Sequence, residues 1–318
     1  MGTFIARRLY QALIVIVIVT FLVFIVIRLL PGDPILVYLS QQQVKNLTID
    51  ELNKTRAQFG LDKPLPVQYF NWIKDLFHGD LGTSLFYRES VGSLLKQSYP
   101  ITLYLGLVAF IISQILGVAM GMISALRRGT WADTAVTLLA NVGITIPIFW
   151  LGILLIYVFG LKLNWLPRFG YTSPFTDFVL STRQAIMPVI CLAIFPLAAT
   201  ARQARSSMLE IIRQDYIRTA WAKGLRERII VVKHIMKNGL IPIVTLAGFG
   251  LSLIIGGSVL EETVFNIPGM GRLSVSAVFS QDYAIIQAVI LITAIVIVLV
   301  NLLVDISYGW LDPRIRYS

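Results

Sequence analysis

Charge is scarce in this sequence. Only 14% of its 318 residues are Asp, Glu, Lys or Arg, and 56% are hydrophobic. Soluble domains carry about 25% charged residues, so the composition points to an integral membrane protein. Cysteine is nearly absent too. The lone Cys191 lies in an apolar run, which excludes an internal disulfide and any Cys-x-x-Cys metal or redox motif. The two histidines, His78 and His234, stand far apart, so a zinc site or a Ser/His/Asp triad lacks its material. No phosphate loop of the form Gly-x4-Gly-Lys-Ser/Thr occurs, nor His-Glu-x-x-His, Gly-x-Ser-x-Gly or an EF-hand pattern. The glycine-bearing run at 269–274 follows no strand pattern. Catalysis by this chain alone is not expected, and no cofactor or metal is expected in it.

Long apolar runs are what the sequence does have. Six are close to the roughly 20 residues that span a bilayer as helix: 9–30, 101–126, 133–160, 186–204, 239–260 and 285–304. Pro147, Pro188 and Pro196 predict kinks in the third and fourth, since neighbouring helices can satisfy the backbone groups a proline frees. The first run follows Arg7 and Arg8. It exceeds the apolar core of about 7–15 residues found in a signal peptide and has no small-residue cleavage site. A retained transmembrane helix is expected there.

Lys and Arg set the orientation. With the N-terminus inside, the inner face collects 15 of the 27 basic residues and 6 of the 17 acidic ones; the outer face holds 12 and 11. The net charge of +10 is thus a topological bias, not a footprint for nucleic acid. Both termini are expected inside. The predicted organisation is an N-terminal helix at 1–30, an outer cap at 31–98, a transmembrane core at 99–306 containing a loop at 205–238, and a tail at 307–318. Within the cap, Thr48 and Glu51 have the spacing of a capping box, and short helices are expected near 48–58 and 65–77.

Polar residues inside the spans are few. Gln114 and Asn141 are candidates for lining a passage; hydrogen bonding between helices is the competing reading. Mid-bilayer charges are lacking, which argues against an ion relay, a stand-alone channel or an ion-coupled carrier. Gly117 and Gly121 suit either close packing within the chain or a seam between chains.

The loop at 205–238 carries most of the inner charge. Leu209, Ile212, Tyr216 and Ala220 recur at helical spacing, with Trp221 beside them. Gly224 stands where a helix cap is expected, after Lys223 in the last turn. "LRERIIVVKHIMKN" then resumes as a second amphipathic piece. An interfacial helix on lipid and a helix docked in a partner's groove both fit this pattern.

Residues 200–242 resemble the coupling loop of the membrane subunits of ATP-binding-cassette importers. The nearest likeness is the first permease of the dipeptide, oligopeptide and nickel branch. "RLLPGDP" (28–34), "FGLDKPLPVQY" (59–69), "GDLGTSLFY" (79–87), "ETVFNIPGMGRL" (262–273) and "LLVDISYGWLDPRIR" (302–316) agree with it along almost the whole chain. Where the wider superfamily has Glu-Ala-Ala, this chain has Arg218-Thr219-Ala220, with Gly224 matching the loop glycine. The resemblance implies an all-α membrane protein with six transmembrane helices of the type I importer kind, an outer cap and a cytoplasmic coupling helix. It implies half of a pore, completed by a second homologous permease in the bacterial cytoplasmic membrane. Two cytoplasmic ATPase subunits would hold the ATP and magnesium, and an extracytoplasmic binding protein would deliver solute. Tyr216, Arg218, Thr219, Ala220, Trp221, Ala222, Lys223, Gly224 and Leu225 would meet one ATPase, with Trp221 as a large anchor. Relatives of this branch carry peptides, nickel chelates, glutathione-like compounds or oligosaccharides; peptides are the solute expected here.

Overall fold

A computed structural model describes residues 2–29, 31–41 and 49–311 of the chain. Every regular element among them is a helix, apart from one antiparallel bridge between Thr83 and Ser90. In chain order these are α1 (Gly2–Leu29), α2 (Pro34–Gln41), α3 (Ile49–Gln58), α4 (Leu65–Phe77), α5 (Val91–Leu126), α6 (Trp131–Thr145) and α7 (Ile148–Leu155). Then come α8 (Phe178–Ile212), α9 (Asp215–Ala222), α10 (Glu227–Ile229), α11 (Lys237–Gly239), α12 (Ile241–Gly257), α13 (Val259–Val264), α14 (Met270–Phe279) and α15 (Tyr283–Leu311). Wider π-helical turns extend α7 through Ile156–Lys162 and join α10 to α11 through Ile230–Met236. The side chains of the expected capping box, Thr48 and Glu51, fall outside the described residues, as does the tail at 312–318.

One compact unit combines residues 2–102 with 268–298. Its α3 and α4 lie where the sequence places two short helices. Pro66 occupies the first turn of α4, where its missing N–H costs nothing. The core joins Ile27 of α1, Val91 and Leu95 of α5, Met270, Leu273 and Ala277 of α14, and Ile285, Ile286 and Val289 of α15. Asp282 opens α15. Its carboxylate accepts from Ser84 Oγ at 2.6 Å, Phe86 N at 3.1 Å and Ile285 N at 3.3 Å, tying the 84–86 turn to this helix start.

The other unit combines 103–267 with the chain from 299 onward. Among the described residues, four helices are long and apolar enough to cross a membrane uninterrupted: Ala6–Leu29, Val91–Leu126, Phe178–Ile212 and Tyr283–Ile306. The third expected span is not a single helix, and the fifth, whose α12 is 17 residues long, follows a bend at its entry. Trp131–Thr145 and Ile148–Lys162 meet at 104°, and Glu227–Gly239 and Ile241–Ser252 at 52°. The first break has a local cause. Proline disfavours helical backbone in the residue before it, and Ile146 accordingly adopts φ −68°, ψ 127°. Pro188 and Pro196 act differently: both are buried inside α8, which runs unbroken for 35 residues.

Glycine lets α5 and α8 touch backbone to backbone. A Cβ on Gly117 would sit 2.8 Å from Thr200 Cβ and 2.9 Å from the Leu197 carbonyl oxygen; on Gly121 it would sit 2.5 Å from the Ala201 carbonyl oxygen. The Gly117–Gly121 face is therefore occupied by packing within the chain.

Candidate functional site

The loop from the end of α8 to the start of α12 builds the site. Ala204 and Met208 of α8, Ala125 at the end of α5, Ile217 and Ala220 of α9, Ile230, Ile235 and Ile243 form one buried cluster. Ile217, Ile230 and Ile235 have no exposed surface. The π-helical turns explain the last pair. With i→i+5 bonding, residues five apart come round near the same side, so Ile230 and Ile235 both face inward. The loop is closed at its base by Ser207 Oγ, which donates to the Gly239 carbonyl oxygen at 2.9 Å.

The face of α9 differs from the sequence expectation. Ile217 and Ala220 are buried, whereas Tyr216 and Trp221 are each 43% exposed and flank that stripe. The reason is the break at Arg213–Gln214, which ends α8 and restarts the helical phase. Leu209 and Ile212 therefore share no continuous face with Tyr216. Tyr216 Oη accepts from Asn238 Nδ2 at 3.1 Å, which holds its ring against the returning segment. Asp215, Arg218, Thr219, Ala222 and Lys223 are exposed on the outward side. The Arg218–Asp215 pair, 3.7 Å apart and open to solvent, contributes little.

Gly224 ends α9 in the left-handed conformation, φ +71°. Its N–H donates to the Trp221 carbonyl at 2.9 Å, and the Leu225 N–H to the Ala220 carbonyl at 3.3 Å. This pairing is a Schellman cap. A Cβ on Gly224 would meet nothing within 4 Å, so backbone conformation alone selects glycine. Leu225, 40% exposed, continues the outward surface beside Trp221. Lys223, Arg226, Arg228, Lys233 and Lys237 are exposed around it, giving the loop a positive rim.

A polar cluster supports this loop that sequence reading does not identify. Arg205 Nε donates to Asp133 Oδ1 at 2.7 Å and Nη2 to Oδ2 at 3.0 Å. Ser124 Oγ also donates to Asp133 Oδ1, and the Gly129 N–H donates to Oδ2 at 3.0 Å. The carboxylate thus clamps the α5–α6 turn to α8, three residues before Met208 enters the loop core. The only signal in the sequence is a pair of opposite charges 72 residues apart.

Gln114 lies on α5 and Asn141 on α6. Gln114 Oε1 accepts from Thr200 Oγ1 at 3.3 Å, a bond between α5 and α8. Asn141 is exposed on α6, and its carbonyl accepts from Thr145 Oγ1 at 3.0 Å.

Two family models cover this chain. Residues 117–317 match the family of binding-protein-dependent transport system inner membrane components, and residues 1–106 match the N-terminal segment of such components. The chain belongs to this family. Among the relatives of this binding-protein-dependent transport component is a putative peptide transport system permease protein of Brucella abortus, 40% identical over the full length of both chains. The Pseudomonas aeruginosa di/tripeptide transport system permease protein DppB is 39% identical, again end to end. A probable peptide ABC transporter permease protein of Sinorhizobium fredii is 40% identical over the whole of each chain. A chain of the MetNI methionine ABC transporter in an inward-facing conformation matches with TM-score 0.57 at 19% identity, covering 69% of this chain and 96% of its own. That likeness establishes the type I importer permease fold. The protein is a multi-pass membrane transport subunit of the ATP-binding-cassette importer class.

Proposed function

We infer that this permease subunit forms half of the translocation pore of an importer for dipeptides or oligopeptides. A second homologous permease completes the pore, an extracytoplasmic binding protein delivers solute, and two cytoplasmic ATPases bind ATP and magnesium. The subunit sits in the bacterial cytoplasmic membrane with both termini and the 205–238 loop on the cytoplasmic side. The observation that carries the peptide reading is the end-to-end identity of 39–40% with permeases named for peptide transport.

The loop geometry supports α9 as the coupling element. Its buried edge is joined by apolar packing to the ends of α5 and α8, while Trp221, Leu225 and the polar face point away from the protein. A partner that grips the exposed face and moves displaces the buried edge too. Close-packed interiors shift between discrete arrangements instead of absorbing strain, so the movement passes into α5 and α8. ATP-driven closure of the ATPase pair would in this way switch the pore between inward and outward states, with hydrolysis resetting it.

The test is reconstitution. The chain, second permease, both ATPases and binding protein in liposomes should accumulate labelled dialanine with ATP, and not when any one component is left out. ATP turnover by this chain alone, or dialanine accumulation without the ATPases, would overturn the assignment.

A further inference from the structure

We propose that a cavity in the unit formed by residues 2–102 and 268–298 binds the carboxyl end of a short peptide, with Arg28 and Gln287 as donors. The cavity measures about 520 Å³, and Arg28, Gln68, Gln281, Tyr283 and Gln287 are among its lining residues. That size falls within the range of small-molecule sites. Identifying the ligand as a peptide rests on the transport reading above.

Arg28 is held in place without being neutralised. Its guanidinium lies 3.5 Å over the Phe24 ring centroid and 5.6 Å from that of Tyr283. Nε donates to Gln68 Oε1 at 3.0 Å and Nη1 to the Phe24 carbonyl at 3.3 Å. An arginine has five N–H donors, so three are left over. Among the described residues no carboxylate pairs with it, whereas Arg56 pairs with Asp33 and Arg205 with Asp133. The second observation is independent. Gln287, one helical turn beyond Tyr283, is only 4% exposed, and its Nε2 has no hydrogen-bond partner. A buried donor left unmade is costly.

Both unused groups are donors, so an acceptor completes them. A planar carboxylate matches the guanidinium fork. Asp75 and Asp282 also line the cavity, which disfavours a doubly charged phosphate and favours a monoanion. Asp282 is already occupied with its three donors at the start of α15. Gln281 adds the complementary group: its Nε2 donates to the Pro31 carbonyl, while its buried Oε1 has no partner and can accept from a peptide N–H. Two donors and one acceptor around a space of this size suit a free-acid dipeptide.

The decisive experiment needs no mutation. The full chain in phosphatidylcholine nanodiscs, without binding protein, is titrated with dialanine and with dialaninamide, which lacks the carboxylate. Saturable dialanine binding is expected, weakened about tenfold or more by amidation. Arg28→Gln and Gln287→Met should each weaken dialanine binding about tenfold and leave dialaninamide unchanged, with Arg28→Lys intermediate. Absence of saturable binding, equal binding of acid and amide, or wild-type affinity in both variants would overturn the site. So would displacement of dialanine by phosphatidylglycerol, which would make the cavity a lipid headgroup site. If binding holds but the reconstituted importer accumulates no dialanine, the transport reading falls and the site stands; the reverse result removes the site alone.

Discussion

At the residue scale, two side-chain arrangements decide whether the loop can act. Gly224 holds a left-handed backbone angle in open space, so the cost of replacing it is conformational. That cost is roughly 1–2 kcal/mol for an ordinary L residue, and a β-branched one resists more. Gly224→Val should fray the end of α9 and reduce both ATPase co-purification and uptake several-fold, with membrane insertion unchanged. Gly224→Asn should recover most of the loss, because asparagine tolerates this region. Uptake by the valine variant equal to wild type would show that the cap is dispensable. The Asp133 cluster behaves differently. Arg205→Met leaves a carboxylate with 9% exposed side-chain surface and no counter-charge, a change that costs about 3 kcal/mol or more in buried pairs. Replacing both partners, Asp133→Asn with Arg205→Met, should be milder than Arg205→Met alone. Thermal unfolding of the detergent-solubilised chain would check the order of the three proteins.

At the scale of elements, α9 and the α5–α8 seam do opposite jobs. The seam is fixed by backbone contact: a Cβ at position 121 would overlap the Ala201 carbonyl oxygen at 2.5 Å and Ala204 Cβ at 2.5 Å. Gly121→Val has no flexible side-chain end to push aside, so α5 and α8 must separate. Overpacking of this kind costs about 1–3 kcal/mol, and here it should also displace Ala204 from the loop core. Lower yield of folded chain and weakened ATPase retention are expected together. Gly92→Ala, in the first turn of α5 where an added Cβ would meet nothing closer than Ser90 Oγ at 3.5 Å, supplies the comparison, since it adds no overlap; folded yield after size-exclusion chromatography should separate the two variants. Trp221→Ala tests the other element. Half-exposed and off the buried stripe, Trp221 contributes little to the fold, so its truncation should leave the melting temperature nearly unchanged while lowering ATPase co-purification.

For the whole molecule, the bent pair at Ile146–Pro147 sets the topology. Three crossings separate Asn53 from Arg226 if Trp131–Thr145 and Ile148–Lys162 together make one span, and two if they form a re-entrant turn. Both positions are exposed. Single cysteines at Asn53 and Arg226 in a Cys191→Ser background should therefore react with impermeant reagent from opposite sides of the membrane. Labelling of both from one side would make the pair re-entrant and reduce the number of spans.

Much of this protein was legible in the order of its residues. Length and apolarity fix which segments cannot live in water, and this placed α1, the long α5 and α8, and α15. Proline and glycine act through their own backbone limits, so the break at Pro147 and the cap at Gly224 could be anticipated from single positions. Six short stretches sufficed to suggest the family. Tertiary structure decided what depends on partners distant in sequence. It put Ile217 and not Tyr216 on the buried stripe of α9, because a break two residues long resets helical phase. It gave Gly117 and Gly121 to α8, since a small residue records only that something comes close. It brought Asp133 to Arg205, and it left part of the Arg28 fork and the Gln287 amide N–H groups without acceptors, because a side chain carries its charge in the sequence but finds its counter-group only when the chain folds.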